Sequence, residues 1–214
     1  MSAIGINFDW KFCESWDDKY IAVDADESAF IGVDIPHTVK EIPYNNFDEE
    51  MYQFVSCYRK HTVIDKAYEG KRIILEFRAV ANAAEVWFNG VPVTSHKGGY
   101  TAFEVDVTDH VVWGGDNVIA VKADSTERSD IPPFGGVVDY LCYGGIYREV
   151  YLHVRESVYI KRMLLTPTVP ERGASELTAE IVLSGNYEGD FSIDICDADG
   201  VKVASATRSG EFKT

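Results

Sequence analysis

The histidines and cysteines are the residue types most often used as metal ligands and nucleophiles, so their spacing is considered first. They show neither a C-x-x-C pair nor H-E-x-x-H or zinc-finger spacing: His37, His61, His96, His110, His153, Cys13, Cys57, Cys142 and Cys196. This pattern favours no metal centre of a usual type. Cys13, Cys57 and Cys142 stand among apolar and aromatic residues, which favours buried free thiols over disulfides. For His37 we expect a hydrogen bond to a backbone carbonyl inside the fold.

Two long stretches rich in turn-forming and aromatic residues are better candidates for a binding surface. Residues 34–58 contain many acids, Tyr and Phe, and residues 125–147 contain Pro132-Pro133 and four glycines. Loops of this length in compact domains are usually functional or disordered, and the second stretch is too aromatic for disorder. Because loops on a rigid scaffold carry much of the binding chemistry, we expect a binding face where these two stretches lie.

The elements that must position these stretches are strands. Apolar and polar residues alternate with period two, which is typical of half-buried strands. The apolar members are Ile73, Leu75, Phe77, Phe103, Val105, Val107, Ile119, Val121, Ala123, Val150, Leu152 and Val154. Glycine-containing turns separate the runs, and no helical period is sustained. Many short strands with such turns predict an all-β fold, a jelly-roll β-sandwich.

The sharpest local signal is Asn89-Gly90, which lies between two short apolar runs and predicts a hairpin with a two-residue turn. Trp87 and Phe88 are consecutive, so their rings should lie on opposite faces of the sheet. We interpret the hairpin as sheet framework, with a sugar platform made by Trp87 as the alternative. The other tryptophans are interpreted as core or edge packing: Trp10, Trp16 and Trp113.

The pattern changes after Arg155, where further strands and a turn at Asp199-Gly200 begin a second sandwich. Its apolar residues would normally face another sheet: Leu177, Ile181, Phe191, Ile193, Ile195 and Val203. Residues 158–214 are too few for an immunoglobulin-like domain of about 100 residues. We therefore predict a jelly-roll domain over 1–157 and an incomplete immunoglobulin-like β-sandwich over 158–214. Its open sheet face would favour disorder or a homo-oligomer.

The charge balance narrows the classes of partner. The chain has 20 Lys and Arg against 35 Asp and Glu, a formal charge of −15. A field of this sign repels phosphate backbones and anionic membrane surfaces, so we expect no nucleic acid and no membrane partner. No apolar run is long enough to span a membrane, and the first residues do not form a signal peptide, so we expect a cytoplasmic location. The charge balance does not exclude neutral sugars as ligands.

An ordered set of segments carries a family resemblance: INFDWKF, DIPHTV, CYRKHTVI, GKRIILEFRAVANAAEVWFNGVPVTSHKGGYTAFEVDVTD, GGDNVIAVKAD and YGGIYREVYL. Over about residues 6–205 the chain resembles the N-terminal part of family 2 glycoside hydrolases, the β-galactosidase, β-glucuronidase and β-mannosidase group. The resemblance implies a jelly-roll sugar-binding domain, an immunoglobulin-like sandwich and a TIM barrel, with both catalytic Glu of a retaining glycosidase in the barrel. We expect this chain to lack the barrel, to contain no catalytic residue and to hydrolyse nothing alone.

The resemblance also implies two substrate-binding residues. In β-galactosidases and β-glucuronidases an Asp six residues before the Gly of GI(Y/F/H)R reaches the barrel's active site, which corresponds to Asp139 before Gly145. An ionised carboxylate can accept hydrogen bonds from adjacent sugar hydroxyls. In β-galactosidases this position also helps to bind a monovalent cation. The alternative for Asp139 is a loop cap or an ion pair with Arg148 or Arg128. Asn46 corresponds to an Asn that contacts the sugar in β-galactosidases, and a turn-forming role is its alternative.

The resemblance implies no cofactor in this chain, with sodium and magnesium as candidates in the longer enzyme. The segment YNNFDEE favours a β-galactosidase parent, whereas ERSDIPP is similar to β-glucuronidases. Two other classes stay open, a stand-alone carbohydrate-binding module and a purely structural β-sandwich. An aromatic platform of its own would distinguish the module, and a barrel with two Glu beyond residue 214 would distinguish the hydrolase.

Overall fold

β-Strands make up most of the regular structure in the computed structural model, which describes residues 2–45, 48–135, 143–168, 173 and 175–212. The strands are β1 (Ser2–Gly5), β2 (Trp10–Cys13), β3 (Ile31–Val33), β4 (Val55–Val63), β5 (Arg72–Phe77), β6 (Ala83–Phe88), β7 (Val91–Lys97), β8 (Phe103–Asp106), β9 (Asp116–Asp124), β10 (Val150–Arg155), β11 (Ile160–Thr168), β12 (Glu176–Leu183), β13 (Tyr187–Cys196) and β14 (Lys202–Phe212). Short 3-10 helices lie at Asp18–Ile21, Glu49–Tyr52, Lys66–Tyr68 and Thr108–His110. The all-β prediction is confirmed.

The chain divides into two compact units, Met1–Val154 and Arg155–Thr214. The first unit contains a six-stranded sheet in the order β3-β2-β4-β9-β6-β7 and a four-stranded sheet in the order β1-β10-β5-β8. All pairs of the larger sheet are antiparallel. Within the described residues, no helix is both long and apolar enough to cross a membrane.

The core of the first unit is formed by the apolar members of the alternating runs. In β5 the side chains of Ile73, Leu75 and Phe77 are buried in the same cluster as Val86 and Phe88 of β6. Burying each such side chain stabilises the fold by about 1.5–3 kcal/mol. The period-two pattern therefore identified the inward face of these strands. Residues 34–58 are less irregular than we predicted, because their last four residues already belong to β4.

The Asn-Gly hairpin has the predicted turn and a second role. Asn89 and Gly90 have φ values of 51° and 80°, as a type I′ turn requires. The Asn89 amide donates 2.9 Å to Oδ1 of the buried Asn117, and its Oδ1 accepts from the Val118 N–H at 2.7 Å. The hairpin is thus tied to the neighbouring strand β9 by side-chain bonds as well as by pairing.

The rings of Trp87 and Phe88 lie on opposite faces of the sheet, as the alternation of side chains along a strand predicts. Phe88 is fully buried in the core, whereas Trp87 stacks on Trp16 with ring centroids 5.0 Å apart. Trp16 packs beside the small cluster of Cys13, Tyr20, Phe30 and Cys57, outside the main core. Trp10 is fully buried and donates its indole N–H to the Ile6 carbonyl at 2.6 Å. The interpretation of these tryptophans as packing residues is confirmed.

A segment that we call the outer strap, residues 14–30, is held by a buried arginine. The Arg59 guanidinium is fully buried and donates 2.7 Å to Glu27. It also donates to the carbonyls of Tyr20, Ala22 and Val23. Because an unpaired buried charge is costly, these acceptors are what makes an arginine tolerable in the middle of β4.

The second unit consists, in its described residues, of two antiparallel hairpins, β11-β12 and β13-β14. Apolar side chains from both hairpins line a cavity of about 420 Å³, among them Ile181, Phe191 and Ile193. Val203 is exposed. The assignment of this unit to an incomplete immunoglobulin-like sandwich, and the homo-oligomer, stay predictions.

Candidate functional site

The two stretches expected to form a binding face are hydrogen-bonded to each other. Val39 donates to the Gly144 carbonyl at 3.1 Å, and His37 donates to the Ile146 carbonyl at 2.9 Å. At the other end of the second stretch, Ser125 donates to the Phe54 carbonyl at 3.1 Å. Strand pairing alone would not predict these contacts, since the partners are separated by about a third of the chain or more. They bring both stretches to one region of the first unit.

The segment just before β6 is hydrogen-bonded to both ends of the second stretch. Ala81 and Gly145 form an isolated antiparallel bridge, with N···O distances of 3.0 and 3.2 Å. The Asn82 amide donates to the carbonyls of Ser125 and Thr126 at 3.3 and 3.2 Å, and the Ser125 hydroxyl donates to the Ala81 carbonyl at 3.3 Å. The residues that begin and end this long connection are therefore fixed to the same point of the sheet.

Both glycines of the Gly144-Gly145 pair are needed for close packing. A Cβ added to Gly145, whose φ is +102°, would lie 2.5 Å from the Tyr58 hydroxyl. A Cβ on Gly144 would lie 2.4 Å from the Ser125 Cβ. Contacts this short are essentially forbidden, so the end of the loop closes against the sheet only because these residues lack side chains.

The half-buried His37 and the fully buried Tyr58 form a polar pair under this closure. The His37 Nδ1 and the Tyr58 hydroxyl are 2.8 Å apart, which corrects our expectation of a backbone carbonyl partner for the imidazole. The hydroxyl of Tyr58 became the partner because β4 brings its fully buried ring beneath the loop. Burial lowers the pKa of His37 and raises that of Tyr58, so both groups are held neutral. We interpret this pair as a support of the closure.

The beginning of the second stretch is held by ion pairs. Arg128 donates to Asp124 at 3.0 Å and to Asp130 at 2.9 Å, and Lys97 of β7 contacts Asp130 at 2.5 Å. Hydrogen bonds from Arg128 and Lys97 hold the pKa of the Asp130 carboxyl well below its ordinary value. Beside these groups lies a cavity of about 240 Å³ whose lining includes Ser95 and Lys122. The ion pairs fix the direction in which the loop leaves β9.

Exposed aromatic side chains occur in the described parts of both stretches. Tyr44 is 97% exposed, Phe134 is 61% exposed and Tyr143 is 48% exposed. Sugars are bound in proteins by polar groups together with apolar ring faces, so exposed rings on fixed loops suit such a ligand. The aromatic composition of both stretches is visible in the sequence, but the exposure of a particular ring has no local sequence signal.

The two substrate-binding residues predicted from the resemblance, Asp139 and Asn46, lie outside the described residues. Their roles, and the cation contact of Asp139, stay predictions. The two stretches that contain them are joined by the hydrogen bonds of Val39 to Gly144 and of Ser125 to Phe54. Among the described residues, no group of three or more His, Cys, Asp or Glu could hold a metal ion. Sequence reasoning missed the supporting residues Asn82 and Ser125, whose partners are distant in the chain.

Comparison with known proteins gives a consistent result. The model of the glycosyl hydrolases family 2 sugar binding domain matches residues 4–155. A β-galactosidase of Thermoanaerobacter pseudethanolicus is 38% identical over 94% of this chain and 28% of its own length. A β-glucuronidase of Bacteroides fragilis is 31% identical over 80% of this chain and 26% of its own length.

The fold comparison agrees with the sequence relatives. The crystal structure of a putative β-galactosidase from Bacteroides fragilis superimposes with a TM-score of 0.82 at 28% identity, covering 99% of this chain and 33% of the other. The chain thus spans only about a quarter to a third of the proteins that it matches.

Proposed function

Because this chain belongs to the family of sugar-binding domains of family 2 glycosyl hydrolases, we propose that it is the non-catalytic part of a longer glycoside hydrolase. In this proposal the β-sandwich of the first unit holds two loops beside a sugar that is cleaved elsewhere in the longer protein. The reaction is removal of a terminal β-linked sugar with retention, by an acid and a nucleophilic carboxylate. The parent activity that we propose is that of a β-galactosidase.

The observation that supports this proposal is the joint anchoring of the two irregular stretches. The ends of the 125–147 stretch are fixed at Ser125 and Gly145 to the same segment before β6, and Val39 of the other stretch bonds to Gly144. A rigid support of this kind is what a loop needs if it is to place a side chain precisely in a site built mostly by another domain.

The choice of β-galactoside as substrate rests on the relatives. The β-galactosidase of Thermoanaerobacter pseudethanolicus is 38% identical to this chain, against 31% for the β-glucuronidase of Bacteroides fragilis. The second candidate is a β-glucuronidase parent, which the likeness to the Bacteroides fragilis enzyme favours. A β-glucuronide carries a carboxylate, so its recognition needs cationic groups that a neutral galactoside does not need.

The experiment compares two proteins on two substrates. The 214-residue chain and the protein encoded by the complete gene are each incubated with nitrophenyl β-galactoside and nitrophenyl β-glucuronide. We expect no release of nitrophenol by the 214-residue chain and release from the galactoside by the longer protein. Preference for the glucuronide would overturn the galactosidase assignment. Hydrolysis by the 214-residue chain would overturn the non-catalytic role.

A further inference from the structure

Cys13 and Cys57 lie directly opposite each other on neighbouring strands. They are register partners in the antiparallel pair of β2 and β4, and both thiols are free. Opposed residues of antiparallel strands have Cα atoms about 4.5–5.5 Å apart, which falls inside the range of about 4.4–6.8 Å found in disulfides. Both side chains belong to the same buried cluster with Tyr20 and Phe30, so they point to the same face. The register therefore places the two residues within the Cα separation that a cross-strand disulfide needs.

The two thiols differ in accessibility. Cys57 is fully buried, and burial raises the pKa of its thiol to about 12. Cys13 is at the edge of the cluster, with its Sγ 3.4 Å from the Ser15 hydroxyl and 4.0 Å from that of Tyr20. Since a thiolate is the attacking species and needs access to the oxidant, Cys13 is the group that reacts first.

The outer strap covers this pair. Tyr20 and Phe30 of the strap pack on both cysteines. The strap is held down by Arg59, which donates to Glu27 and to the strap carbonyls of Ala22 and Val23. For an oxidant to reach the cluster this segment must open, and local opening of such a segment does not require global unfolding.

We propose that Cys13 and Cys57 are an oxidative modification site, at which a small-molecule disulfide of the glutathione type converts them to an intramolecular cross-strand disulfide. The Cys13 thiolate attacks one sulfur of the oxidant, forms a mixed disulfide and releases one thiolate. Cys57 then loses its proton to that base or to water and attacks the Cys13 sulfur, which releases the second thiol. Two protein thiols are oxidised, and one disulfide is reduced to two thiols.

The product would link β2 to β4 and close a covalent loop that contains the whole outer strap and most of the 34–58 stretch. Such a link restricts the unfolded chain more than the folded one, so it stabilises the fold if the native geometry accepts it. The register pair provides that geometry. Oxidation should therefore raise the thermal midpoint, and reduction should return it to its original value.

The test uses the 214-residue chain carrying Cys142→Ser and Cys196→Ser, so that only the opposed pair can react. After incubation with oxidised glutathione we expect loss of both thiols to Ellman's reagent in denaturant and a mass lower by two hydrogens. A linked peptide containing both residues and a thermal midpoint that rises and is restored by dithiothreitol should accompany these changes. The control adds Cys57→Ala, which should stop at a glutathione adduct on Cys13. Retention of both thiols, or a link formed only in denaturant, would overturn the proposal.

Discussion

Ser125 and Gly144 lie so close together that a Cβ on Gly144 would stand 2.0 Å from the Ser125 Oγ. These residues lie on either side of the segment predicted to carry Asp139. The same Gly144 accepts a hydrogen bond from Val39 of the other stretch. A single close contact thus joins both loops and the sheet, and changes there should be transmitted to the proposed sugar site.

Gly144→Ala should therefore lower both stability and catalysis of the longer protein. The added methyl group must displace Ser125 or the loop, and such overpacking costs about 1–3 kcal/mol. We expect a lower thermal midpoint and a lower kcat/KM. Gly32→Ala is the matched control, because a Cβ there meets nothing within 4 Å. Equal behaviour of the two variants would contradict the role given to the contact.

Asp139→Ala should lower kcat/KM of the longer protein at least about 10-fold, since each 1.36 kcal/mol of transition-state contact is a factor of ten. Asn46→Ala should show a smaller loss of the same kind, because a neutral hydrogen bond contributes less than a charged one. Steady-state kinetics and thermal midpoints of the two variants are measured beside Asp24→Ala, which removes an exposed carboxylate of the outer strap. An active Asp139→Ala enzyme, or one inactive only because it unfolds, would exclude the sugar contact.

Arg59→Met should destabilise the first unit by about 3 kcal/mol or more, the usual cost of breaking a buried ion pair. The substitution removes one of the two partners of Glu27 and the donor to three carbonyl groups, while a methionine of similar length refills the space. Urea unfolding gives the free energy. Lys40→Met, which removes the exposed pair with Glu14, should change it little. A similar loss in both variants would mean that burial of the arginine is irrelevant.

His61 should make stability depend on pH. Burial opposes its charged form, but hydrogen bonds to Asp116 at 2.6 Å and Glu27 at 2.9 Å outweigh it, so its pKa lies above the ordinary 6.5. A raised pKa stabilises the fold fully below the ordinary value, and this stabilisation is lost as pH rises through the folded-state pKa. His61→Gln should therefore lower the thermal midpoint more at about pH 6 than at about pH 9.

Asp116→Asn, which keeps the imidazole but removes one of its carboxylate partners, should reduce this pH difference without abolishing it. An equal loss at both pH values in His61→Gln would contradict the predicted shift. Glu27 does not titrate over the pH range of this experiment, so it does not contribute to the pH difference. Burial raises the pKa of Glu27, but the hydrogen bonds from Arg59 and His61 lower it by a larger amount. The pKa therefore lies below the ordinary 4.5, and the carboxylate stays ionised.

Local chemistry explains why much of the fold could be predicted from the sequence. The alternation in β5, β8 and β9 predicted strands because period two is a property of neighbouring residues. Asn89-Gly90 predicted its turn because only such residues accept positive φ at both positions. The opposite placement of Trp87 and Phe88 follows from the same geometry. The ordered motifs, which are likewise a property of the sequence, predicted the family of which the chain is a member.

The supports of the candidate site were decided by tertiary structure alone. An arginine in a strand is expected to be exposed to solvent, yet Arg59 is buried because the distant outer strap supplies its hydrogen-bond acceptors. Cys13 and Cys57 are separated by 43 residues in the sequence, and only the register of β2 on β4 sets them opposite each other. Gly144 gives no local sign of its contact with Ser125. Sequence pattern records which residues prefer which backbone, whereas these contacts depend on which strands pair and in what register.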